Sequence, residues 1–178
     1  PATQAIAAIN HSGAGARFTG ACTGISRRAA GCGGVVGSTA FLNETFPHGR
    51  YVWRLDRERM TGTVDLPGST MKTATIPLRP MLGRVAVAPE GDEEFGGLWP
   101  GPFGGNMDIR DLTVGVELYL PVKVKGALFS IGDTHAAQGD GEVCGTAIES
   151  PMDVVLTLDL VKGANLKTPR FTTPGPVT

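Results

Sequence analysis

Cysteine is scarce. The 178-residue chain has three, Cys22, Cys32 and Cys144, an odd number with no Cys-x-x-Cys spacing. Neither a disulfide framework nor a structural zinc knuckle is signalled, and a reducing compartment fits best. An excess of one charge is also lacking: 16 basic and 17 acidic residues leave a formal net charge of −1. No basic field exists to draw in nucleic acid or an anionic membrane surface. No apolar run approaches the ~20 residues of a membrane span. The N-terminus has no basic-then-apolar layout of a secretion signal. It begins Pro1-Ala2-Thr3 without an initiator Met, and Thr172-Thr173-Pro174-Gly175-Pro176 reads as a linker. The chain therefore reads as a piece of a longer polypeptide.

Glycine and proline are abundant. The 26 Gly and 13 Pro occupy 39 of 178 positions, against roughly 12% in an average domain. Such a chain cannot form a helical bundle or coiled coil, because these residues interrupt helices every few positions. A hydrophobic fraction of 41% with near-zero net charge argues equally against disorder.

Residues 1–49 are rich in Ala and Gly and poorly periodic, and are expected to pack as irregular chain on a larger body. Residues 50–165 read as that body. Short alternating or apolar runs predict strands at 50–55, 61–66, 73–78, 84–88, 116–120, 126–131, 143–148 and 154–161. Pro77 places the third of these at a sheet edge or a strand end. Residues 89–105 form a long Gly- and Pro-rich loop, and 166–178 a linker-like tail. Strands about ten residues apart with little helix predict a mainly β fold, a β-sandwich or jelly-roll-like body with long Gly-rich loops.

Polar groups gather in two Gly-flanked segments, 104–111 and 132–142. In extended chain, positions i and i+2 point to one side. Asn106 with Asp108, Asp133 with His135, and Asp140 with Glu142 all have that spacing. Carboxylates with an imidazole make the donor set of a catalytic Zn²⁺ or similar divalent ion, and a carboxylate off the metal can serve as general base. The competing reading is a pair of tight turns in which Asp and Asn only cap backbone N–H groups. Cys144 assisted by His135 is a thiol-nucleophile alternative, weakened because Cys144 sits in an apolar, strand-like run. Ser12 lacks the Gly-x-Ser-x-Gly elbow, and the Gly-rich stretch 31–37 lacks a Lys-Ser/Thr ending, so neither a serine hydrolase nor a phosphate loop is signalled.

Three segments carry a more specific signature: Gly104-Gly105-Asn106-Met107-Asp108, then Leu118-Tyr119-Leu120-Pro121-Val122 with Gly126-Ala127-Leu128-Phe129, then Gly132-Asp133 and His135 through Glu142. In this order they resemble the acetamidase/formamidase family. Leu55-Asp56-Arg57-Glu58-Arg59 and residues 77–83 resemble it too, and the likeness runs from about residue 50 to 165. The resemblance implies an amidohydrolase that splits formamide, acetamide or another short linear amide into ammonia and a carboxylate. It also implies a mainly β fold, a cytoplasmic location and homo-oligomers, with further polypeptide beyond this chain. Carried over by position, the site residues are Asn106, Asp108, Asp133, His135, Gln138, Asp140 and Glu142. Asp108, Asp133 and His135 would hold a divalent metal, Zn in first place and Ca as the alternative. Glu142 would act as base, and Asn106 or Gln138 as oxyanion donor. A metal-free layout makes Glu142 the nucleophile. Two readings from other classes remain: a non-catalytic β domain holding a structural Ca²⁺ on its Asp/Glu loops, and a packing subunit whose polar residues only staple turns.

Overall fold

The computed structural model describes residues 3–8, 30–35, 49–92, 94–143 and 145–175, with backbone only at 3–8, 30–35 and 49. His11, Ser12, Cys22, Cys144 and most of the Ala/Gly-rich segment lie outside the described residues. Cα packing divides the chain into two compact units. One comprises 1–14, 81–133 and 154–178, and the other 15–80 and 134–153. Among the described residues the chain is mainly β; the one helical element is a 3-10 turn, Asp140–Glu142.

The first unit holds a four-stranded antiparallel sheet in the order β10 (Thr157–Lys162), β1 (Thr3–Ala8), β8 (Glu117–Val122), β11 (Arg170–Thr172). The 166–178 segment, read as a tail, thus contributes a strand, with Arg170 opposite Tyr119. A second sheet runs β7 (Gly104–Asn106), β6 (Met81–Ala86), β9 (Ser130–His135). Leu118 and Leu120 of β8 share a buried cluster with Leu82 and Val85 of β6, joined by Val87, Leu112 and Val116. Two sheets facing one apolar layer is how a β-sandwich buries its inner faces. Strand β6 reads as near-continuous apolar sequence and is buried at five of its six positions.

The second unit is a sheet ordered β2 (Ala30–Val35), β3 (Gly49–Asp56), β4 (Thr61–Asp65), β5 (Thr73–Pro77). Its core gathers Leu55, Leu78, Ala136, Ala137 and Ile148, with Trp53, Ile76 and Met152 packed against them. Pro77 ends the edge strand β5, where a missing N–H costs no ladder bond. The Leu55 to Arg59 motif is the β3–β4 hairpin turn. Asp56 Oδ1 accepts from the backbone N–H groups of Glu58 and Arg59, and Oδ2 accepts from the Arg59 guanidinium. Those bonds, the Arg59 N–H first, hold the Asp56 carboxyl below its usual range.

Three strand expectations need correction. Residues 126–128 form a turn, because Gly126, Ala127 and Leu128 all have positive φ, and β9 starts only at Ser130. Among the described residues of 143–148 there is no strand: positive φ at Glu142 and Gly145 turns the chain away from extended geometry. The strand expected over 154–161 begins at Thr157 rather than Val154.

Leu118 is fully buried in the first core, so Leu118→Ala is expected to cost about 2–5 kcal/mol. Denaturant unfolding of the full chain checks this; a loss below about 1 kcal/mol would contradict the shared core.

Candidate functional site

In the first unit, glycine conformation shapes the polar segment. Gly104 and Gly105 have φ of 90° and 108°, and a Cβ on Gly104 would stand 2.3 Å from the Val85 carbonyl oxygen. Only glycine lets β7 pair this closely with β6, where Asn106 sits opposite Arg84. The chain then turns through Asp108, whose backbone N–H donates to the Gly83 carbonyl at 3.1 Å. Asn106 Nδ2 donates to Asp108 Oδ2 at 2.7 Å. Gly83 is the floor beneath two carboxylates. A Cβ there would meet Asp108 Oδ1 at 2.5 Å and Asp133 Oδ2 at 2.9 Å. Asp108 and Asp133, 25 positions apart in sequence, therefore approach one glycine, one from the loop after β7 and the other from strand β9.

The second unit carries the imidazole. Residues 134–137 run antiparallel to 148–150. Ala136 N–H donates to Ile148 O at 2.8 Å, Ile148 N–H to Ala137 O at 3.0 Å, and Ser150 N–H to Thr134 O at 3.0 Å. This ladder puts His135 directly opposite Glu149. Arg79 N–H adds a bond to Ala136 O from the segment after β5. His135 is wholly buried. Its Nδ1 lies 2.8 Å from Gln138 Oε1, and its Nε2 lies 3.1 Å from Glu149 Oε2. Glu149 Oε1 accepts from the Ala147 N–H at 3.0 Å, which fixes the carboxylate's other oxygen toward the ring.

Glu142 completes this group. One ligand atom from each of His135, Glu142 and Glu149 lies within 4.8 Å of the others, a set able to hold a metal ion. Glu142 is half-buried at the end of the 3-10 turn, with Gly141 at φ 71° and its own φ at 43°. Asp140 opens the same turn and is exposed. The extended i, i+2 argument therefore does not describe Asp140 and Glu142, since a 3-10 turn and a left-handed glycine separate them. Asp133 also departs from regular strand geometry, with φ at 52° inside β9.

Eight non-glycine residues have positive φ among the described residues, and three of them are Asp108, Asp133 and Glu142. Left-handed backbone at non-glycine residues costs of order 1–3 kcal/mol and concentrates at functional sites. Glu149 is the residue that sequence reasoning missed. Its signal was the pairing potential of Ala136-Ala137 with Ala147-Ile148, a two-residue apolar match that brings the next position opposite His135.

Comparison with known proteins agrees with this architecture. The model of the Acetamidase/Formamidase family matches residues 85–178, just over half of the chain. The chain belongs to that family. It is 46% identical over 85 residues to the formamidase of Methylophilus methylotrophus, a stretch covering 44% of this chain and 20% of that protein. Over 62 residues it is 48% identical to the acetamidase of Mycolicibacterium smegmatis, covering 34% of this chain and 15% of the relative. The crystal structure of an acetamidase from Yersinia enterocolitica superposes on 97% of this chain with a TM-score of 0.74 at 30% identity. That superposition spans 49% of the Yersinia chain. The present chain thus spans about half the length of its structural relative, and the stretches aligned with the curated relatives cover a fifth or less of those proteins. The family match also continues to residue 178, past the 50–165 stretch in which the motifs are recognisable by eye.

A carboxamide oxygen only accepts, so the orientation of Gln138 requires the His135 proton on Nδ1. Nitrogen-15 NMR of the imidazole is expected to show a protonated Nδ1 in the native chain and loss of that preference in Gln138→Leu. A bare Nδ1 in the native chain would contradict the arrangement.

Proposed function

We propose that the protein to which this chain belongs hydrolyses short linear amides, of the formamide and acetamide kind, to ammonia and a carboxylate. Membership of the family and the names of its relatives support the reaction class. The observation that carries the reading here is the buried His135 ringed by Gln138, Glu142 and Glu149.

An amide is a poor electrophile, because nitrogen lone-pair donation reduces the charge on its carbon. Hydrolysis therefore needs carbonyl polarisation, an activated water and a proton for the leaving nitrogen. Glu142 is the base in this reading. Its carboxylate takes a proton from water as the water oxygen bonds to the carbonyl carbon. The same proton then passes to nitrogen as the C–N bond breaks, so that ammonia leaves and the carboxylic acid remains. The Gln138 amide group donates to the developing oxyanion. Such a donor is typically worth about 3–4 kcal/mol in the transition state.

The donor chemistry fits a divalent ion. Carboxylates with one imidazole suit zinc, whereas imidazole is a poor partner for a hard cation such as calcium. His135 is the imidazole ligand in this proposal, and Gln138 positions the ring through Nδ1. When bound, the ion would supply Lewis acidity toward the carbonyl and lower the pKa of water at the site. We further place the protein in the cytoplasm as a homo-oligomer. No helix among the described residues is long and apolar enough to cross a bilayer.

The full-length protein is expected to release ammonia from formamide or acetamide. Glu142→Gln and His135→Ala are expected to stay folded and lose about 100-fold or more of that activity, the scale of removing an acid–base group. Silence of the native enzyme across a panel of small amides would overturn the reaction class. Activity that survives exhaustive chelation would remove the ion while leaving hydrolysis in place.

A further inference from the structure

The apolar inner face of the first unit's four-stranded sheet does not stop where its cover stops. In an antiparallel sheet, residues directly opposite each other share a face. Leu118 of β8 and Leu158 of β10 both pair with position 7 of β1, and Leu120 and Leu160 both pair with position 5. The four leucines therefore point to one side of the sheet. Leu118 and Leu120 are buried in the cluster shared with β6, at 0% and 1% exposure, whereas Leu158 and Leu160 stand at 56% and 46%. Strand β10 is exposed at all six positions and, among the described residues, is the end strand of the sheet, paired on one side only.

A hollow of about 780 Å³ runs between this strand and segment 122–129, with Val122, Phe129, Leu158 and Leu160 in its lining. Three ammonium groups border it, those of Lys123, Lys125 and Lys162, against the single carboxylate of Asp159. Asp159 Oδ1 accepts from the Leu160 N–H at 2.7 Å, so that carboxylate already serves its own strand. A strand edge, an apolar face and net positive charge thus lie together.

These features select an occupant. An open edge is completed by extended chain that adds a strand, leucines on one face call for apolar residues at alternate positions, and the lysines call for carboxylates. A second copy of the same surface answers the first two demands and fails the third. It would bring its own three lysines against these, and like charges facing across paired strands are destabilising. Chain of another kind exists in a relative: the superposition on the Yersinia acetamidase spans 49% of that polypeptide, so half of it has no counterpart here. A segment tethered to the same polypeptide meets the edge at an effective concentration on the order of millimolar.

We propose that polypeptide of the full-length protein beyond these 178 residues adds a strand to β10, with apolar side chains over Leu158 and Leu160 and carboxylates beside Lys123, Lys125 and Lys162. Coverage of β10 does not depend on the amide reading, and a protein inactive on every amide would leave it standing.

The test is carbene footprinting and carbodiimide coupling of the full-length protein, both read by peptide mass spectrometry. Leu158 and Leu160 are expected to label no faster than the buried Leu118 and Leu120, and the three lysines to couple to Asp or Glu residues outside this segment on the same copy. Labelling of Leu158 and Leu160 above that of Leu118 and Leu120 would show an open edge and overturn the proposal. Coupling confined to these 178 residues overturns it in favour of the chain's own N-terminal segment, and coupling found only in cross-linked dimers overturns it in favour of a second copy. Protection without coupling to any protein carboxylate also overturns it, and points to a small anion in the hollow.

Discussion

The second unit is organised around one buried imidazole. Four residues on one side, 134–137, and three on the other, 148–150, form a short ladder that holds the buried His135 opposite Glu149. A buried imidazole with both nitrogens facing defined partners cannot rotate without breaking a hydrogen bond. Glu142 reaches the same place only because Gly141 turns the chain through left-handed backbone just before it. Ladder, core and turn thus combine to present one nitrogen and two carboxylates within a few ångströms.

The first unit solves a similar problem with glycine. Gly83 lacks the Cβ that would collide with Asp108 and Asp133, and Gly104 and Gly105 let β7 lie close against β6. Strain accompanies this closeness. Left-handed backbone at Asp108, Asp133 and Glu142 is unfavourable in isolation and persists because surrounding strands over-determine it. Aspartate tolerates that region better than most side chains, whereas glutamate gains nothing locally from it. The conformation of Glu142 is thus better explained by where its carboxylate must go than by turn chemistry.

Much of the fold was legible in the residues. The alternation of Trp53, Arg54 and Leu55, the near-continuous apolar run of β6, and Pro77 at the end of an edge strand all follow from period-2 patterning and the missing proline N–H. Legibility failed where glycine decides the path. Gly126-Ala127-Leu128 reads as apolar strand but turns, and 143–148 reads as buried strand but is bent by Glu142 just before it and Gly145 within it. The site was partly legible for the same reason. The i, i+2 rule gathers Asn106 with Asp108, which do meet. It fails for Asp140 and Glu142, where the chain is not extended. Glu149 could not be found by spacing, because its relation to His135 is a cross-strand pairing 14 positions apart.

The most direct test of the account is a crystal structure of the full-length protein grown with zinc, with anomalous diffraction recorded on both sides of the metal's absorption edge. The account predicts an anomalous peak within about 2.3 Å of His135 Nε2, in contact with a carboxylate oxygen. A peak confined to surface sites, or a zinc-free pocket in which His135 and Glu149 share only a proton, would contradict it.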